Sequence, residues 1–435
     1  MFAAIIDVSA FHWRFLKAGT VTRVLASDLE VSKMEGYILE WLSLLGRWVH
    51  LVTGIAWIGA SFYFVWLDNS LQAPRVASDE QRGVGGEVWS VHGGGFYHAQ
   101  KYKVAPPELP DTLHWFKWEA YTTWITGMFL IALLYWYQAE IYLIDPGVMA
   151  LSKPVAVVLG MLALLLGWIV YDFLCKSSIG KQEGKLSAAM FVFVCVSAWG
   201  LCQIFSGRGA YLHYGAMLGT IMVANVFFVI MPGQRDLVAA KSEGRAPDPI
   251  HGIRAKQRSV HNTYFTLPVL FVMISNHYAM TWGHKYNWLI LIVLSVAGAL
   301  IRVFFVQRHH GKNKPMILVA AAVLIMGVAA AIAPKPRAAV AVDNSTSAAE
   351  LFAQVQGVMT TRCVSCHADV PTQPGFAAPP QGVVVETADD ILRQADTIYQ
   401  QVVVTKAMPI GNLTQITEDE RAIVEQWYLT GAKAE

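Results

Sequence analysis

Charge is scarce in this chain: 15% of its 435 residues are Asp, Glu, Lys or Arg, and the formal net charge is +2. No Lys/Arg-rich stripe is present to track a phosphate backbone, which removes nucleic acid from the partners to consider. Cysteine is scarce as well. Of five, Cys175, Cys195 and Cys202 lie in apolar stretches as packing residues, so no disulfide framework stands in for a core. No secretory leader is expected either, because Phe2 to Ile6 is too short for its apolar centre and no small-residue cleavage site follows. Residues 1–33 are left without assignment, and Met34, directly before a long apolar stretch, is the alternative start.

What the chain has is apolar length. Mean hydropathy is +0.41, and 15 Trp and 16 Tyr suit the aromatic belts of a bilayer interface. Apolar segments run over 37–67, 118–137, 154–175, 187–206, 211–231, 260–282, 287–307 and 315–333, each near the ~20 residues that cross a hydrocarbon core. The expected fold class is all-α: an eight-span transmembrane helical bundle over 34–333, a linker over 334–346 and a small helical domain over 347–435. Alternate connections hold most of the cations: Arg75, Arg82, Lys101, Lys103 and Lys117; Lys176, Lys181 and Lys185; Arg235, Lys241, Arg245, Arg254, Lys256 and Arg258; Arg308, Lys312 and Lys314. The others carry only Lys153, Arg208 and Lys285. This asymmetry puts the C-terminal domain outside a cytoplasmic membrane, in the periplasm of a bacterium.

One short motif in that domain names its chemistry. Cys363-Val-Ser-Cys366-His367 places two thiols on one helical turn, where both can form thioethers to a haem, and the adjoining His367 reaches the iron. Met408, in Ala407-Met408-Pro409, is the expected sixth ligand; Met359 is the rival but lies too close before the motif. Ser347 with Glu350, and Thr417 with Glu420, have capping-box spacing and predict helices on both sides of the motif. Together these features describe a haem c domain.

Polar groups within apolar helices are costly, so each is a candidate for function. His50, His213, His261 and His277 are candidate ligands of one or two b-type haems, with His213 and His277 expected at matching depth. Each can also be read as a polar residue satisfied by a neighbouring helix or by the interface. At the cytoplasmic end Asp68, Glu119, Asp172 and Arg302 converge with the loop Trp89-Ser-Val-His92-Gly-Gly-Gly95-Phe-Tyr-His98-Ala-Gln100-Lys101. Its glycines permit close approach to a flat, anionic heterocycle, or else they only turn the chain.

Several longer motifs carry a resemblance: Arg47-Trp-Val-His50, Gly54-Ile-Ala-Trp57-Ile-Gly59, Trp66-Leu-Asp68-Asn-Ser, Val91-His92-Gly-Gly-Gly95, Leu113-His114-Trp-Phe-Lys-Trp-Glu119 and Ser259-Val-His261-Asn262-Thr-Tyr. From Met34 onward the chain resembles the bacterial membrane-bound urate oxidases, in which eight spans are fused to a cytochrome c. The resemblance implies oxidation of urate to 5-hydroxyisourate, with electrons leaving through haem c to a soluble cytochrome c or terminal oxidase. On that footing Arg302 or Lys101 would hold the urate anion, with His92 and His98 nearby and Trp115 or Trp118 stacking on it. Glu119, then Asp68, would be the base. A membrane cytochrome relaying electrons from quinol to a periplasmic partner is the alternative.

Overall fold

The computed structural model describes residues 18–309, 311–333, 347–376 and 378–435. The expected linker, residues 334–346, and residues 1–17 lie outside the described residues. Helical backbone already runs from Ala18, so α1 (Ala18–Ser70) begins ahead of Met34.

The bundle continues with α2 (Trp118–Ile131), extended by a π-helical turn over Ala132–Trp136, then α3 (Lys153–Lys176) and α4 (Glu183–Ile204). Next come α5 (Gly207–Asn225), which runs through a second π turn into α6 (Met231–Ser242), then α7 (Pro249–Ser275), α8 (Asn287–His309) and α9 (Met316–Ala331). All eight expected segments are helical, but five helices among the described residues are long and apolar enough to cross a membrane. The others fall short for separate reasons. α2 with its extension carries Glu119, Tyr121, Thr122, Thr123 and Thr126 within its 19 residues, α7 carries Arg254, Lys256 and Arg258 in its first half, and α9 has 16 residues, or ~24 Å of rise against a ~30 Å hydrocarbon core.

α5 is the axis. Tyr211, Leu212, His213, Tyr214, Met217, Leu218 and Ile221 are all buried, covering every side of the helix, as only an element enclosed by others can. Glycine on α5 and on its neighbours makes room. A Cβ built on Gly160 of α3 would lie 2.7 Å from His213 Nε2, and one on Gly215 of α5 would lie 2.6 Å from Val272 Cγ1 of α7. Such small-residue contacts are how helices associate where lipid removes the hydrophobic drive.

The chain is not all-α. Residues 84–102, expected as a loop, form an antiparallel hairpin of β1 (Val84–His92) and β2 (Gly95–Tyr102), with His92 opposite Gly95. Gly93 and Gly94 both take positive φ, +57° and +81°, the geometry of a two-residue hairpin turn whose twist matches paired strands. These glycines therefore turn the chain.

The C-terminal domain is built from α10 (Ala348–Arg362), α11 (Val364–His367), shorter helical segments between 380 and 412, and α12 (Glu418–Leu429). Both expected capping boxes form, at Ser347 with Glu350 and at Thr417 with Glu420. Its core gathers Leu351, Phe352, Val355, Met359, Val424 and Trp427. The domain docks on the bundle end opposite the hairpin. Gly411, at φ +56°, comes so close that a Cβ on it would lie 3.3 Å from the Ile144 carbonyl.

Candidate functional site

Cys363 and Cys366 are free thiols on one turn, where the His367 amide donates to the Cys363 carbonyl at 2.9 Å. They line a crevice with ≈ 460 Å³ of empty space, together with His367, Met408, Pro409, Phe376 and Leu413, and Ile141 of the bundle closes one side. The lining is largely apolar, which withdraws the Cys363 sulfur from water and pushes its thiol up to about 12; burial pushes Cys366 up as well.

The two expected iron ligands are oriented by main-chain carbonyls. His367 Nδ1 lies 2.8 Å from the Val383 carbonyl; it must be the protonated nitrogen, which leaves Nε2 with a lone pair. Met408 is held through its own carbonyl, which accepts from Arg421 Nη1 at 3.0 Å. Arg421 is 6% exposed and also reaches the Val402 carbonyl. Met359 is 1% exposed in the domain core. The donor set thus fits a covalently attached haem: two thiols, one imidazole nitrogen and one thioether around one apolar crevice.

The membrane-domain candidates are placed differently. His213 is fully buried, with Nδ1 donating to the Gly209 carbonyl at 2.8 Å and Nε2 accepting from Trp136 Nε1 at 3.1 Å. His277 is exposed, in the turn after α7. The expected His213 and His277 pair does not form, because α5 is the enclosed axis and its histidine is spent on protein neighbours. His50 Nδ1 sits 3.0 Å from the Thr123 carbonyl and 3.0 Å from Thr126 Oγ1, leaving Nε2 as its acceptor. Among the described residues no group of three or more His, Cys, Asp or Glu side chains could hold a metal ion.

The expected substrate and base residues are dispersed. Asp68 and Lys101 form an ion pair at 2.5 Å, each about half exposed. Glu119 is partly buried in the first turn of α2. Trp115 packs beside Ala120, Val223 and Met231, while Trp118 is exposed under Lys117. His98 stacks on Trp89 at 4.1 Å and bonds the buried Glu87 carboxylate at 2.9 Å, and His92 is exposed at the hairpin turn. The hairpin pulls both histidines away from the helices. Arg302 stays in the bundle, 6% exposed, with its guanidinium 3.9 Å from the Phe62 ring and no hydrogen bond from Nε.

A polar network that the sequence reading missed runs through the centre of the bundle. Arg258 Nη2 donates to Asp172 Oδ1 at 2.7 Å, and its Nη1 lies 3.4 Å from Asn225 Oδ1. Asn225 Nδ2 donates to Asn262 Oδ1 at 2.8 Å and to Tyr171 Oη at 3.0 Å. The Tyr171 hydroxyl is then free to donate to His261 Nδ1, 2.8 Å away, which places the imidazole proton on Nε2. An asparagine inside an apolar segment was the signal available for it.

The family model for the urate oxidase N-terminal region matches residues 36–333. The chain belongs to this family. The urate oxidase N-terminal match ends where the bundle ends, so the Cys363, Cys366 and His367 crevice lies beyond it. No curated protein and no solved structure matches the chain.

Proposed function

We propose that the chain is a multi-pass membrane oxidoreductase that takes two electrons from urate and passes them to a haem held in the C-terminal domain. The observation that carries this reading is the pairing of a urate oxidase family bundle over 36–333 with the Cys363, Cys366, His367 and Met408 crevice docked against it. Five apolar helices and the Lys/Arg asymmetry support a cytoplasmic membrane with the C-terminal domain on its outer face. The reaction balances as urate monoanion plus water giving 5-hydroxyisourate, one proton and two electrons. A soluble cytochrome c or terminal oxidase is the acceptor downstream.

Cys363 and Cys366 would carry the thioethers, and His367 Nε2 and Met408 Sδ would hold the iron. Bound there, the haem supplies one-electron transfer. The protein's part is orientation. Val383 fixes the His367 ring through its carbonyl and Arg421 fixes the Met408 strand, while the apolar wall excludes water. His50 keeps an Nε2 lone pair that a b-type haem could use, His261 carries its proton on Nε2 and offers none, and docking of the C-terminal domain on the bundle offers a route that needs no b-type haem. Glu119 and Asp68 stand at the hairpin end, away from the crevice, and the reading assigns them no proton transfer.

The test is anaerobic mixing of the full-length protein with urate while the c-type haem absorption is followed. Reduction by urate without oxygen or quinol supports the reading. Reduction by quinol and not by urate would turn it into a membrane relay.

A further inference from the structure

A second cavity lies beside the crevice. It is a cleft with ≈ 1190 Å³ of empty space, part of it open to solvent, between the outer end of the bundle and the Met408 strand. Ile141, Pro409 and Ile410 line both cavities, so whatever occupies the cleft stands one residue from the crevice.

Its lining selects an anion. Arg208, Lys285 and Lys406 line it, and Asp145 is the sole acidic residue of the lining. Lys406 is engaged by Glu418 at 2.5 Å. The other two cations are met by neutral groups: Arg208 Nε donates to Asn276 Oδ1 at 3.0 Å with its guanidinium over the Tyr142 ring, and Lys285 lies over Tyr286. Withdrawal from water raises the Asp145 carboxyl above its ordinary value, against the Gly147 amide that donates to it. Gln203 adds an amide that can both donate and accept, and Trp282 adds an aromatic face. A purine monoanion needs this combination: cations for its charge, an amide for its edge and a ring for its plane.

Position argues the same way. A substrate at the hairpin end, where the sequence placed it, would be separated from the crevice by the 118–136 helix, about 28 Å of rise for its length. Electron transfer falls steeply with distance, and the cleft removes that separation.

Resting on the urate reading above, we propose that the interdomain cleft is where urate binds, held by Arg208 and Lys285. The test is equilibrium dialysis of labelled urate against full-length protein kept fully reduced, so that binding is read without turnover. Arg208→Gln and the exposed Lys285→Gln should each weaken binding at least tenfold, while Lys103→Gln on the hairpin leaves it within twofold. Retained covalent haem and unchanged elution on gel filtration show that each variant is folded. Urate affinity that survives both substitutions, or falls only in Arg302→Gln, overturns the cleft and leaves the urate reading standing. Loss of phosphatidylglycerol retention in these variants with urate binding intact would make the cleft a lipid seat and overturn it too. No urate binding by the unaltered protein overturns the substrate reading and the inference with it.

Discussion

Arg421 on α12 donates from Nη1 to the main-chain carbonyl of Met408 at 3.0 Å, across 13 residues. It reaches the Val402 carbonyl as well, so one buried guanidinium ties the Met408 strand to the domain core. Hydrogen bonds from a charged donor are worth about 1.5–3 kcal/mol. Arg421→Gln should therefore lower the stability of the C-terminal domain by about 2 kcal/mol and, in the proposed haem site, displace Met408 from the iron. Thermal unfolding followed at the haem absorption, with the methionine charge-transfer band as second readout, checks both; an unchanged band would mean that Arg421 does not position Met408.

Cys363→Ser combined with Cys366→Ser should abolish haem that survives denaturing electrophoresis, and each single change should leave one thioether. Intact mass measures this directly. Covalent haem persisting in the double variant would remove these cysteines from the haem assignment.

Asp172 and Arg258 should behave as a buried pair. The Arg258 side chain is 3% exposed, so Asp172→Asn strands a guanidinium, a change that costs about 3–5 kcal/mol. Replacing both with apolar residues should recover part of that loss. Denaturation in detergent of the two singles and the double closes the cycle, and additive losses would show that the pair is not coupled.

The Glu420 carboxylate gives the C-terminal domain an acid sensitivity. Partial burial alone would raise it, but the Thr417 amide at 2.7 Å and the Arg362 guanidinium at 3.0 Å outweigh burial and hold it below the usual glutamate range. A carboxyl depressed in the folded state contributes stability above its unfolded value, and that stability is lost as pH falls through the folded one. Melting temperature of the full chain should drop below about pH 4.5, and Glu420→Gln should flatten the slope there.

Much of the fold was legible where local chemistry decides it. Ser347 with Glu350, and Thr417 with Glu420, were readable because a capping box is complete within four residues. A third box, Thr387 with Asp390, escaped because aspartate stands where glutamate or glutamine is usual. The nearness of Met408 to the Cys363-Cys366-His367 motif was legible from its following proline and its spacing, and Met408 lines the same crevice. The hairpin was not, because Gly93 and Gly94 were open to two readings and cross-strand pairing decides between them. Arg258 looked like a surface charge beside a span expected to open at 260, yet α7 begins at Pro249 and carries it inward. The cleft was the least legible of all, since its residues come from connections more than 200 positions apart and meet only through docking.

That docking has a concentration attached to it. The C-terminal domain rests on Ile141 and Ile144 while remaining covalently joined to α9, and the chain between 333 and 347 can span no more than about 50 Å. Held within such a radius, the domain sees its own bundle at an effective concentration near the millimolar scale. Association is therefore set by chain length and not by expression level. A C-terminal domain supplied as a separate polypeptide at micromolar concentration should neither displace the resident one nor restore a truncated chain.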